Sequence, residues 1–164
     1  MASQWYSLVS QKLYLAKALL EQRASMDSAT EAPPPLLNEA LTQGCVELLL
    51  RARQALLVMI ARHHQHKQAS PATLSELRAL LPEDAYEVTT LDALATDGQS
   101  WWSHLAQLER AQSQPPATRK SVSADNIIAI SAETGPDRST STLAATRNAL
   151  SAFARELEEQ NSEW

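Results

Sequence analysis

Residues 34–67, PPLLNEALTQGCVELLLRARQALLVMIARHHQHK, decide the fold. Apolar residues recur in this stretch at the three- and four-residue spacing of an α-helix, and a second apolar stripe lies beside the first. A helix that is apolar over more than half of its circumference must be covered on several sides. The stretch therefore predicts the inner helix of a helical bundle. The first stripe contains Leu37, Leu41, Cys45, Leu48, Ala52, Ala55 and Met59, and the second contains Val46, Leu49, Leu50, Leu57 and Ile60.

The composition also favours helices over sheets. The 164 residues include three glycines and one phenylalanine, whereas leucine, alanine, glutamine and glutamate are abundant. A chain of this length supports one hydrophobic core. We therefore predict an all-α, up-down bundle of four main helices within a single domain of residues 1–164, with short helices between the second and third. The main helices are expected at 3–24, 34–67, 98–113 and 138–160.

Polar residues mark where the shorter helices begin. Ser70 before a proline and Thr73 with Glu76 are both suited to start a short helix, the second pair by the three-residue offset of a capping box. Asp97 or Ser100 is suited to cap the third main helix.

The segment after the third main helix is the best candidate for a linker. Residues 114–124, QPPATRKSVSA, begin with a proline pair that stops the helix. The β-branched run that follows, within 125–131, is too short for its periodicity to distinguish an extended segment from a helical turn.

Charge and apolar content limit the partners and the location. The net charge is −5, and the dense basic footprint of duplex DNA-binding proteins is missing. No apolar run is long enough to span a bilayer, and the N-terminal residues lack the pattern of a secretory signal. Cys45 is the single cysteine and lies on the apolar stripe, so we expect a buried thiol and no disulfide. These features predict a cytoplasmic protein that binds neither DNA nor membrane.

Three histidines at the end of the long helix are the candidates for a metal site. His63 and His66 would share one helix face, whereas His64 would point about 100° away. Further ligands would have to come from elsewhere, and the chain has no HExxH-type motif. The alternative is that RHHQHK is the solvated basic end of a helix, where cations complement the helix dipole.

The tryptophans suggest a docking surface. In an up-down bundle the predicted helices bring Trp5, His66, Trp102 and Trp164 to one end, and aromatic anchors dominate interface energetics. Trp101 continues the buried stripe of its helix, so Trp102 is expected on the flank of that stripe. The alternative is that these aromatic residues close the open end of an aliphatic core.

The sequence gives little support to catalysis. It contains no glycine-rich phosphate loop and no GxSxG motif, and it indicates no catalytic residue and no cofactor. Polar residues on the long helix, among them Arg53, Glu39 and Glu47, are explained by snorkelling or pairing. The leading hypothesis is a non-catalytic interaction or regulatory module whose partner is another protein.

Other functions stay open at this point. One is a helical-bundle metal-binding protein or enzyme that uses the His63–His66 segment. Weak RNA binding through Arg51, Arg53, Arg62 and Lys67 is another, and it would be strongly salt-dependent. Self-association is a further possibility, because the last helix offers more apolar surface than one bundle covers.

Several stretches resemble an uncharacterised family of small cytosolic proteins from pseudomonads and related gamma-proteobacteria. They are QKLYLAKALLEQ at 11–22, QSWWSHLAQLERAQSQPP at 99–116, NIIAIS at 126–131 and the final Glu163-Trp164 pair. The family is a domain of unknown function. The resemblance implies a helical single domain in a bacterial cytosol, and it transfers no active site.

Overall fold

The computed structural model describes residues 3–115 and 135–162, and within them the chain is all-helical with no strand. The predicted all-α class is confirmed. Three long helices pack together, and shorter helices lie between the second and the last of them. The helices are α1 (Gln4–Asp27), α2 (Pro35–His63), α3 (Leu74–Arg78), α4 (Tyr86–Thr96), α5 (Trp101–Gln112) and α6 (Thr140–Ser162).

Side-chain contacts show that the four main helices alternate in direction. Leu13 of α1 accepts a hydrogen bond from Arg147 of α6, and Ser3 lies beside Glu158 further along α6, so α1 and α6 are antiparallel. Contacts near both ends of α1 show that α2 is also antiparallel to it. Bonds from α2 to Glu109 and Gln112 give α5 the direction opposite to α2. The order α1, α2, α5, α6 is therefore up-down-up-down.

The core is built around α2, as its two apolar stripes predict. An unbroken run from Ala55 to Ala61 is buried, because α2 contacts α1, α3, α5 and α6. Leu37, which the sequence places on the first stripe, is instead about half exposed near the start of the helix. The three polar residues of α2 named above are each paired: Glu39 with Arg138, Arg53 with Glu109, and Glu47 with Gln112.

Local capping sets where several helices begin. Thr73 accepts the backbone N–H of Glu76, and the Glu76 carboxyl group accepts that of Ala72, so the capping-box alternative is confirmed for α3. Ser100, the second of the two residues proposed for the start of α5, accepts the backbone N–H of Ser103.

The long helix ends earlier than its sequence pattern predicts. We expected it to continue to Lys67, but α2 ends at His63. Gln65 adopts a positive φ of 66°, and the backbone N–H of His66 then bonds to the carbonyl of Ala61. A left-handed residue of this kind closes a helix C-terminus and redirects the chain, which the basic, non-apolar composition of the segment did not reveal.

Some sequence predictions lie outside the described residues. They are the conformation of 125–131, most of the linker at 114–124, and the position of Trp164. Among the helices that are described, none is long and apolar enough to cross a membrane.

Candidate functional site

One end of the bundle contains a buried histidine and glutamate. The last turn of α2 places His63 Nε2 at 3.5 Å from Glu158 Oε2 on α6, and the two side chains are only 10% and 12% exposed. Ser3, the N-cap of α1, donates its backbone N–H and its hydroxyl to the two carboxyl oxygens of Glu158, at 2.5 and 3.0 Å. The Glu158 carboxyl group thus joins three helices.

Burial determines the protonation of His63. Its pKa lies below the ordinary value of 6.5, chiefly because burial disfavours the charged ring, while Glu158 opposes that shift. The ring Nδ1 atom is buried and has no hydrogen-bond partner within the described part of the chain. At neutral pH the ring is therefore an uncharged, buried base.

The neighbouring histidines are directed elsewhere. His64 Nε2 lies 3.1 Å from Glu87 Oε1 on α4, and His66 follows the left-handed turn at Gln65. His63 and His66 do not share a helix face as predicted, because the helix ends between them. Across the described ranges there is no group of three or more histidine, cysteine, aspartate or glutamate side chains able to hold a metal ion.

The burial of the two adjacent tryptophans is the reverse of the prediction. Trp102, expected on the flank, is only 8% exposed, whereas Trp101, expected in the core, is half-buried. The Arg53 guanidinium lies 5.4 Å from the ring centroid of Trp102 and also bonds to Glu109 at 2.5 Å. Both tryptophans have helical spacing to Leu105, so the pattern within α5 could not predict which of them is buried. Trp102 is the buried one because side chains of α2 cover it.

Of the four residues predicted as an interaction surface, none of the three that the structure describes is exposed. Trp5 is half-buried beneath the Arg62 guanidinium, which lies 5.5 Å from its ring centroid, and His66 is also half-buried. Trp102 offers little surface to a partner, and Trp164 lies outside the described residues.

Two of the four cations considered for RNA binding are held by aromatic rings. Arg53 and Arg62 lie over tryptophan rings, while Arg51 donates to Gln54 and Lys67 is exposed. The four cations therefore do not form one exposed basic stripe.

A cleft of about 560 Å³ lies between α5 and α6. His104 crosses its wall, with Nδ1 at 2.7 Å from Thr146 Oγ1 and Nε2 at 2.8 Å from the carbonyl oxygen of Asp137. Hydrogen bonds from the Ser139 backbone N–H and the Thr142 hydroxyl lower the pKa of Asp137. Both ring nitrogens of His104 are engaged, so its evident role is to join α5 to the segment that begins α6.

The outer face of α1 carries a different kind of surface. A strip covering about 140° of the helix runs from Gln4 to Ser25, at 100° per residue. Every member is exposed or half-buried and none is charged, and near the middle Tyr14 is 70% and Leu15 47% exposed. We call this surface the α1 strip: Gln4, Ser7, Leu8, Gln11, Tyr14, Leu15, Ala18, Leu19, Gln22 and Ser25.

The sequence interpretation overlooked this strip. Leu8 and Leu19 at its edge are partly buried against the core, but α1 packs mainly on α2 and α6, which leaves Leu15 uncovered. The absence of charge along one side of α1 was readable in the sequence and is the signal that would have found the strip.

Comparisons with known proteins identify a family and no function. The model of the DUF6586 family, described as a family of unknown function, matches residues 1–164. No curated protein and no solved structure matches the chain.

Proposed function

Because the chain belongs to DUF6586, a family of unknown function, we propose its function from its own side chains: it is a non-catalytic interaction module that binds another protein chain through the α1 strip. The proposal includes the bacterial, cytoplasmic setting expected from the sequence.

The observation that carries the proposal is the exposure of Tyr14 and Leu15 in the middle of a long helix. Tyr14 is 70% exposed beside a leucine that is 47% exposed, so two large apolar side chains lie next to each other at the surface. Interface centres are depleted in charge and enriched in aromatic residues, and the α1 strip has no charged member and carries Tyr14 near its middle.

The rest of the strip has the chemistry of an interface rim. Glutamine and serine side chains occupy its two ends, at Gln4, Ser7, Gln22 and Ser25. Such groups form hydrogen bonds with a partner without the desolvation cost of a charge. The strip is also presented by a rigid element, since α1 is anchored on its other side by Val9, Leu13, Ala16 and Leu20.

The alternative function, metal binding or catalysis through the His63–His66 segment, has less support. His63 and His64 are each directed to a different glutamate, and the chain reverses direction before His66. A metal ion would have to separate these pairs before it could gather three ligands. Zinc titration calorimetry on the tagless protein tests this alternative, which a stoichiometric heat lost in His63→Gln would favour.

Site-specific photo-crosslinking tests the interaction proposal. A benzoylphenylalanine residue in place of Tyr14 is irradiated in lysate of the native cells, and the matched control carries the same group in place of Gln160, which is exposed on α6. We expect a product from position 14 that is absent from position 160. Leu15→Asp should weaken binding of the purified captured protein at least tenfold. Equal products from both positions, or none from position 14, would contradict the proposal.

A further inference from the structure

We propose that the start of α1 is held by an acid-sensitive contact: when His63 gains a proton, residues 3–7 separate from α2 and α6 while the rest of the bundle stays folded. This inference goes beyond the proposed function and does not depend on what the α1 strip binds.

The carboxyl group of Glu158 is shared between the start of α1 and His63. Its Oε2 atom accepts the Ser3 hydroxyl at 3.0 Å and lies 3.5 Å from His63 Nε2, while its Oε1 atom accepts the Ser3 backbone N–H at 2.5 Å. Ser3 in turn accepts the backbone N–H of Tyr6 as the N-cap of α1. A change of charge at His63 therefore acts on the group that holds the first turn of α1 in place. We call this arrangement, in which Ser3 bonds to Glu158, the closed arrangement.

The closed arrangement suits a neutral His63 ring better than a charged one. Nε2 faces Glu158, whereas Nδ1 is buried and has no hydrogen-bond partner among the residues that the structure describes. A neutral ring needs only one N–H, which Nε2 can donate to Glu158. A second proton would create an N–H of a charged ring at Nδ1, buried and without an acceptor, and this costs more than an unpaired nitrogen on a neutral ring. The charged ring is therefore favoured where water can reach it.

The charges around His63 do not compensate for its burial. Glu158 on α6 and Glu87 on α4 favour the charged ring, and His64, its neighbour on α2, opposes it. The Arg62 guanidinium faces a tryptophan ring of α1, and the first two turns of α1 carry no charged residue. Burial outweighs the two carboxyl groups, so the pKa of His63 in the closed arrangement is below 6.5. The closed arrangement is therefore favoured above pH 6.5 and loses stability as the pH falls.

The start of α1 is the segment beside His63 that can separate at low cost. The first fully buried residue of α1 is Val9, and Trp5 before it is only partly buried. On α6, by contrast, the residue next to Glu158 is the completely buried Leu157. A helix end without a buried anchor opens at a lower free energy than a helix that the core holds. We therefore assign the separation to residues 3–7 and not to the end of α6.

Amide hydrogen exchange measured by NMR on the purified full chain tests the proposal. Protection factors of Tyr6 and Ser7 are compared at pH 7.5 and 5.5, because they are corrected for the intrinsic pH dependence of exchange. We expect both to fall at least about twofold on acidification, since the proton that His63 binds favours the open arrangement. His63→Gln should remove most of this fall. The matched control is His66→Gln, at a half-buried histidine beyond the turn at residue 65, and it should keep the wild-type response.

The same measurement in dilute urea, below the unfolding transition, separates a local opening from unfolding of the whole chain. Local opening exposes little surface, so the protection of Tyr6 and Ser7 should hardly change, whereas that of Leu13 in the middle of α1 should fall. An equal acid response in His63→Gln and the wild type would overturn the inference. So would an equal dependence on urea at Tyr6 and Leu13.

Glu158→Gln provides a second test that does not require the histidine variant to fold. Its amide offers Ser3 only one oxygen acceptor, so the protection of Tyr6 and Ser7 should already be low at pH 7.5. Glu159→Gln, at an exposed position next to it, should keep the wild-type protection. Circular dichroism checks that each variant keeps its helices. Wild-type protection in Glu158→Gln would show that this carboxyl group does not hold the start of α1, and would overturn the inference.

Discussion

The imidazole of His63 lies 3.5 Å from the carboxyl group of Glu158, with both side chains about nine-tenths buried. The pKa of His63 is nevertheless lowered, because the cost of removing the charged ring from water exceeds the attraction of the nearby carboxyl group. The pair therefore acts through shape and hydrogen bonding at neutral pH, and its contribution to stability depends on pH.

Acid should destabilise the protein through His63. Since its folded pKa is below 6.5, the unfolded state binds more protons between the two pKa values, so stability present above pH 6.5 is lost as the pH falls. Urea denaturation at pH 7.5 and 5.5 should show a smaller acid-induced loss in His63→Gln than in the wild type. A titration of the His63 ring by NMR should give a midpoint below 6.5. Equal losses in both proteins, with a midpoint at or above 6.5, would refute this prediction.

Glu158→Gln should destabilise the fold measurably. The carboxyl group accepts two hydrogen bonds from Ser3, and an amide offers only one oxygen acceptor in its place. We expect a loss of about 1–3 kcal/mol in the free energy of unfolding at pH 7.5. The adjacent Glu159→Gln is the matched control, because Glu159 is 70% exposed and its carboxyl group pairs with Arg155 at 3.8 Å, so its loss should stay under ~0.5 kcal/mol. Similar losses for the two variants would contradict the role assigned to Glu158.

The effect of a substitution at Gly44 on the free energy of unfolding should change sign with the size of the new side chain. A Cβ at this position would lie 3.2 Å from Cδ1 of Leu19, the far end of a half-buried side chain that can turn towards solvent. Gly44→Ala should therefore stabilise the protein by up to ~1 kcal/mol through helix propensity. Gly44→Leu should cost about 1–3 kcal/mol, because the added atoms overfill the contact between α1 and α2. Thermal unfolding of the two variants measures this, and a destabilised alanine variant would show that Leu19 is not free to move.

Truncation of Trp102 should reduce the stability of the fold far more than truncation of Tyr14. Trp102→Ala removes a ring that is 8% exposed and leaves Arg53 without its aromatic partner, at an expected cost of about 3–5 kcal/mol. Tyr14→Ala removes a ring that is 70% exposed and should change stability by less than ~0.5 kcal/mol. Chemical denaturation compares the two. A large loss for Tyr14→Ala would mean that this side chain stabilises the fold, and the α1 strip would then be a poor candidate for an interface.

Much of the architecture could be predicted from the sequence. The two stripes of α2 and the capping residues Thr73 and Ser100 could be found because they depend on spacing within a few residues. The prediction was wrong where two spacings were equally good, as for Trp101 and Trp102, and where one backbone angle, that of Gln65, ended the helix early.

The sequence by itself determined that the chain is helical and which residues have a helical periodicity, because a helix is stabilised by neighbours three and four residues apart. Only the tertiary structure decided how much of each apolar face is covered. Leu15 has the spacing of a core residue but lies where α1 has no neighbouring helix, and His63 meets Glu158 from 95 positions further along the chain. Such contacts depend on how whole helices rotate and pack against one another, which no local pattern encodes.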